Sequence, residues 1–220
     1  MQKKENSEHK KEIIQLCTTI VLLTLFVLML LAIYVENQKL ETKKLGYNIP
    51  SINSLIEYKD VYQLIEELES NNETQYLLLS RPSCPWCKEY IPYINEYAFE
   101  NKIKIKLFDP SPYKGYSLTE EGEFNFTYDE YKVMLNFIAN SPQAEALELL
   151  KKYTVYSPSG NFEQEVLWLY VPYLYKVENG VVVDVLKTPD DHVKDANGKL
   201  PLMTEKQTLL LKYNIIEFFD

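Results

Sequence analysis

Residues 76–87 read Tyr-Leu-Leu-Leu-Ser-Arg-Pro-Ser-Cys-Pro-Trp-Cys, and the fold depends on how this stretch divides. Tyr76-Leu77-Leu78-Leu79 is a continuous apolar run that stops at a turn, Arg81-Pro82-Ser83. A short apolar run bounded in this way fits a central strand buried on both faces. Proline suits the first position of a helix, so a helix is expected to open at Cys84-Pro85 and run toward Glu100. Pro92 falls inside it and is expected to kink it. Cys84 and Cys87 therefore sit where a buried strand gives way to a helix. There the first sulfur faces unpaired backbone N–H groups and the positive end of the helix dipole, which lowers a thiol pKa. The second sulfur lies one turn further on, placed to attack a mixed disulfide. Cys84 is thus the candidate nucleophile, and Cys87 the resolving thiol, expected to be the more buried.

Other uses of the pair fit less well. A zinc site needs about four ligands. Beyond the apolar N-terminal run the chain offers no further cysteine and one histidine, His192, so no metal site is expected. A structural disulfide closing so short a loop restrains the unfolded chain very little. With three cysteines in all, the chain is not a disulfide-stapled scaffold.

Upstream, Leu55 to Tyr58 reads as a short strand. Asp60 with Gln63 three residues on caps a helix from Val61 to Glu69, with Leu64, Ile65 and Leu68 on its apolar face. Downstream, Lys102 to Phe108 alternates isoleucine and leucine with lysine, as a strand does. Asp109-Pro110-Ser111-Pro112 ends that pattern and opens an insert, about residues 110–165, far longer than a crossover helix requires. Within it, Thr127 with Glu130 suggests a capped helix from Tyr128 to Ala139, and Ser141-Pro142 a second, from Pro142 to Tyr153. Val171-Pro172-Tyr173-Leu174-Tyr175 leads to Asn179-Gly180 and Val181-Val182-Val183, a strong hairpin signal. Asp190 to Pro201 is polar and reads as a loop. Thr204 with Gln207 caps a last helix reaching Phe219, with Leu209, Leu210, Tyr213, Ile216 and Phe219 as its expected apolar face. Alternating strands and helices followed by a hairpin predict an α/β domain with a mixed sheet flanked by helices.

The N-terminus carries a different signal. From Ile13 to Val35 no residue is charged. As a helix this run spans roughly 35 Å, enough for a bilayer core of about 30 Å. A cleaved signal peptide would have a shorter apolar region, about 7–15 residues, ending at small side chains. This one ends Ala32-Ile33-Tyr34-Val35, so an uncleaved anchor is expected over residues 13–35. Residues 1–12 then form a cytoplasmic tail, 36–52 a tether, and 53–220 an extracytoplasmic domain. The orientation follows from the short tail and from Lys3, Lys4, Lys10 and Lys11 against Lys39, Lys43 and Lys44. A net charge of -9 without a basic stripe argues against nucleic acid as a partner.

The segment Arg81-Pro82-Ser83-Cys84-Pro85-Trp86-Cys87, taken with Val171-Pro172 ahead of the Asn179-Gly180 hairpin, resembles the thioredoxin superfamily. The series Ile56-Glu57-Tyr58-Lys59-Asp60, helix, apolar strand and Arg-Pro-Ser-Cys-Pro resembles one branch of it, the membrane-anchored thioredoxin-like bacteriocin-transport accessory proteins. The resemblance implies a thioredoxin-like fold and a redox pair at Cys84 and Cys87, modulated by Pro85 and Trp86. It also implies a cis peptide bond at Pro172, beside which the backbone of Val171 pairs with an extended substrate. The partners implied are protein thiols and disulfides and a redox partner; no cofactor is called for. Two departures stand out. Leu78 occupies the position where thioredoxins carry a buried acid, so the usual proton acceptor for Cys87 is missing, and Lys106 on the next strand reads better as a solvent-facing lysine than as its substitute. The intervening dipeptide is Pro-Trp, neither that of thioredoxins nor that of strongly oxidising relatives. The reading is a membrane-anchored thiol–disulfide oxidoreductase. The alternative is a thioredoxin-like module that holds a client without redox turnover.

Overall fold

The computed structural model describes residues 15–34, 46, 47, 49, 54–187 and 203–220. The N-terminal residues expected to form a cytoplasmic tail, most of the expected tether and the expected polar loop at 190–201 lie outside the described residues. Helix α1, Gln15–Tyr34, has a mean hydropathy of 2.8 and none of it is buried within the protein. It is long and apolar enough to cross a membrane.

The domain begins with β1 (Leu55–Tyr58), α2 (Val61–Ser70), β2 (Gln75–Leu79), α3 (Pro85–Glu100) and β3 (Ile105–Phe108). It closes with the hairpin β8 (Tyr173–Glu178) and β9 (Val181–Leu186), then α5 (Glu205–Phe219). Between β3 and β8 lies the insert, with β4 (Tyr116–Leu118), β5 (Phe124–Phe126), α4 (Asp129–Ala139), β6 (Lys151–Tyr156) and β7 (Glu163–Trp168). The main sheet runs β1-β3-β2-β8-β9. β1 and β2 are parallel to β3, while β8 is antiparallel to both β2 and β9. This strand order, with helices on both faces, is the thioredoxin-like arrangement. The turn between β8 and β9 is left-handed at Asn179 (φ 52°) and Gly180 (φ 74°), which the Asn-Gly pair accommodates.

β2 is central, and all five of its residues are buried. Its alternation sorts the core in two. Leu77 and Leu79 join the layer containing α2 and α4; Tyr76 and Leu78 join the layer containing α3 and α5. Asp60 caps α2 by accepting from the N–H groups of Tyr62 and Gln63. Thr204 and Gln207 form the reciprocal capping box on α5.

Several local expectations are corrected. β3 starts at Ile105, because residues 101–103 close α3 instead: Lys102 is left-handed (φ 58°) and the Ile103 N–H donates to Ala98 O at 2.7 Å. No side chain caps α4; Thr127 is held by its own N–H donating to Gly115 O. The expected second insert helix is absent. Residues 142–148 form turns ending at a left-handed Glu148 (φ 48°), and Lys151–Tyr156 pairs with Glu163–Trp168 as a hairpin. The Lys-Lys-Tyr-Thr-Val-Tyr run favours extended structure once a partner strand is present. On α5, Leu211, Ile215 and Phe218 are buried, whereas Leu209, Leu210, Tyr213 and Ile216 are exposed. Of the expected face only Phe219 packs inward, its ring 4.7 Å from that of Tyr76.

Candidate redox site

The turn after β2 is held by the Ser80 N–H donating to Phe108 O of the neighbouring strand and the Cys84 N–H donating to Arg81 O. Pro85 then opens α3 at its first position with Cys84 as the capping residue. A cap normally offers an oxygen; here the Cys84 Sγ accepts the Cys87 N–H at 3.3 Å. The sulfur thus sits in the ring of unpaired amides that a helix start exposes. α3 runs on through Pro92 to Glu100.

Both thiols are free, and both are buried, Cys84 at 4% exposure and Cys87 at 0%. Their electrostatics diverge. The Cys84 thiol is pushed down to about 6, first by the Cys87 side chain as hydrogen-bond donor, then by the amides of Cys87 and Trp86 and the charge of Arg81, all against the opposing effect of burial. Cys87 is pushed well up, first by burial and then by the neighbouring Cys84. The lower-pKa sulfur is therefore also the more accessible.

The Val171–Pro172 bond is cis. The Cys84 Sγ lies 3.9 Å from Val171 O, so this segment borders the sulfur. Pro172 is buried and Trp86 half-buried. The six candidate residues Cys84, Pro85, Trp86, Cys87, Val171 and Pro172 are thus brought together, at the N-terminus of α3 and the segment before β8.

Leu78 is fully buried in the same core layer as both cysteines, so an apolar side chain fills the place of the acid. Lys106 neither substitutes for it nor faces solvent freely. It points to the α2 layer, where its Nζ lies 2.8 Å from Glu67 and 3.2 Å from the Tyr58 hydroxyl. What does reach Cys87 is the Arg81 backbone N–H and, with a smaller effect, the Ser80 hydroxyl, both acting on it as hydrogen-bond donors. The hydroxyls of Ser80 and Tyr47 are 2.7 Å apart and buried. Tyr47, from the segment read as a loose tether, is packed at 7% exposure, with Ile49 against the same layer. Gly46 (φ 70°) precedes it so closely that an added Cβ would stand 2.8 Å from Pro82 Cβ. Ser80 and Tyr47 were missed by the sequence reading; a serine at the end of a strand and a tyrosine between Gly46 and Pro50 carry no motif.

The insert forms the opposite wall. A cleft of about 260 Å³ runs between Cys84, Trp86 and Val171 on one side and Lys114, Trp168 and Tyr170 on the other. Trp168 anchors this wall, packing against Tyr116, Phe126, Tyr131 and Tyr153. Among the described residues no cluster of ligands suited to a metal ion occurs.

No protein-family model matches the chain, and no curated protein matches it. A solved structure described as "A putative oxidoreductase with a thioredoxin fold" is similar at 11% identity, over 60% of this chain and 81% of that one, with a TM-score of 0.35.

Proposed function

We propose that the chain is a membrane-anchored thiol–disulfide oxidoreductase acting on protein cysteines through Cys84 and Cys87. The observation that carries this reading is the placing of two free thiols one helical turn apart at a helix start, where Cys84 Sγ accepts the Cys87 N–H and is favoured as thiolate while Cys87 is fully enclosed and disfavoured as one. Starting from the dithiol, the Cys84 thiolate attacks one sulfur of a client disulfide, forming a mixed disulfide and releasing the other client sulfur as thiolate. Cys87 then loses its proton and attacks Cys84 Sγ. The second client sulfur leaves, and two electrons have passed from the pair to the client. Run backward from the Cys84–Cys87 disulfide, the same steps oxidise a client dithiol. The Val171 backbone beside Cys84 would hold the client strand extended across the sulfur.

A Cys84 value of about 6 falls between about 7 in thioredoxin and about 3.5 in strongly oxidising relatives. Measuring the reduction potential of the pair against about −270 mV for thioredoxin and about −120 mV for the strongest oxidants separates a reductase from an oxidase. The anchor would be residues 13–35 and the domain extracytoplasmic. The motif at Arg81–Cys84 supports a narrower reading, that the clients include secreted peptides of the bacteriocin kind, as in the transport accessory proteins the sequence resembles.

The test is insulin disulfide exchange by the full chain in detergent, with Cys87→Ser and Cys84→Ser alongside. Turnover is expected, and Cys87→Ser should accumulate mixed disulfides that Cys84→Ser does not. Absence of exchange in both directions, with Cys84 still alkylated readily, would replace this reading with that of a client-holding module.

A further inference from the structure

The cleft at Cys84 has an unusual charge balance for this protein. Its walls include two cations, Arg81 and Lys114, and no carboxylate, in a chain of net charge -9. The Arg81 Nε is buried without a hydrogen-bond partner among the described residues. A buried donor left unpaired is costly and is seldom retained without a use. Lys114 reaches in from an exposed turn of the insert, its Nζ 4.8 Å from the centre of the Trp168 ring. It makes no ion pair among the described residues, unlike Lys106, Lys132 and Lys187. Partial burial and the nearby Arg81 charge both disfavour its ammonium form. The Cys84 thiolate offsets part of the Arg81 charge, but Lys114 still faces a like charge across the cleft, and an anion between Arg81 and Lys114 relieves it.

We propose that Arg81 and Lys114 form a carboxylate subsite beside Cys84, fitted to a client peptide that carries Asp or Glu next to its reacting cysteine. The proposal rests on the thiol-exchange reading of Cys84. It gives the insert a role in choosing clients, because Lys114 and Trp168 both belong to it. A peptide is favoured over a small acidic thiol because the cleft continues along Val171, where a backbone can lie extended.

Both tryptophans of the chain, Trp86 and Trp168, lie on the cleft wall, so intrinsic fluorescence reports occupancy directly. The full chain in uncharged detergent is titrated with hexapeptides containing S-methylcysteine, which cannot exchange, flanked by either Glu or Gln. The Glu peptide is expected to bind about tenfold tighter at low salt, the scale of one charge-assisted contact, with the gap closing as salt rises. Lys114→Gln should reduce the gap to about twofold or less, and Lys114→Arg should retain most of it. Equal binding of the two peptides, or a preference that Lys114→Gln leaves intact, overturns the subsite. Tighter binding of S-methylglutathione than of the Glu peptide overturns the peptide as its source. Because no exchange chemistry is involved, a chain that fails the insulin assay but keeps the Lys114-dependent preference loses the redox reading and keeps the subsite.

Discussion

At the scale of single residues, the site is a contest over two protons. Cys84 is held low by the Cys87 thiol, by amides and by Arg81; Cys87 is held high by burial and by Cys84 itself. In the reduced protein, iodoacetamide should modify Cys84 with a half-point near pH 6 and Cys87 far more slowly; faster labelling of Cys87, followed by mass spectrometry, would reverse the roles. The same shifts set a stability window. Lowered in the folded state, Cys84 contributes stability fully above its unfolded value of about 8.5 and loses it as pH falls toward 6. Cys87 is raised, so unfolding becomes more favourable as pH climbs past about 8.5, where only the unfolded thiol ionises. Denaturant midpoints of the reduced protein should therefore rise between about pH 6 and 8.5, peak near 8.5 and fall above it, and a flat profile would contradict the assignment. With Leu78 in place of an acid, the Arg81 backbone N–H and the Ser80 hydroxyl, itself hydrogen-bonded to the Tyr47 hydroxyl, are the groups that can support a Cys87 thiolate. Ser80→Ala should slow release of a mixed disulfide about tenfold, the effect of losing one hydrogen bond to a charged group, and Tyr47→Phe somewhat less. Release rates unchanged in stopped-flow traces would remove both hydroxyls from the resolving step.

Among the secondary-structure elements, α2 and β3 are joined by the Lys106–Glu67 pair, with the Tyr58 hydroxyl on the same carboxylate. Lys106 and Tyr58 together hold Glu67 down to about 2. A carboxylate with a depressed folded value stabilises above its unfolded pKa and loses that contribution as pH falls through the folded one. Because Glu67 is 38% exposed, solvent screening keeps the pair to under about 1 kcal/mol. Lys106→Met should nevertheless shift the acid-unfolding midpoint to higher pH without altering exchange activity; a change in Cys84 alkylation would instead link Lys106 to the redox pair, from which the sheet separates it. The capping box on α5 is a second test at this scale. Thr204→Ala is expected to destabilise the domain by about 1 kcal/mol, read from urea denaturation.

Across the whole molecule, the insert is tied to the sheet by buried hydrogen bonds rather than draped over it. The Tyr175 hydroxyl donates to Leu149 O and the Val182 N–H to the Ser141 hydroxyl, while within the insert the Leu169 N–H donates to the Tyr131 hydroxyl. The other large-scale feature is the apolar helix Gln15–Tyr34, and the orientation proposed for it is open to measurement. A cysteine placed at Lys43 should react with a membrane-impermeant thiol reagent on intact cells, and labelling only after lysis would place the domain on the cytoplasmic side.

The strand-turn-helix at residues 76–87, the Asn179-Gly180 hairpin, the Thr204 capping box and the apolar helix are all legible in the linear chain. Each of these depends on interactions a few residues apart, or on periodicity, and both are written locally. The greater acidity of Cys84 is legible there too, because a helix start acts within its own first turn. The rest came from contacts made only on folding. The stretch from Lys151 to Tyr156 became a strand because a partner strand lay across Ser157–Gly160. The buried face of α5 was chosen by what it packs against, since its apolar residues encircle much of the helix. Tyr47 met Ser80 across 33 residues, and Lys114 came to face the cleft beside Arg81, by the path of the chain around the sheet. Contacts of that kind join residues that no spacing in the sequence relates, so the hydroxyl pair and the charged cleft became visible only once the fold had closed.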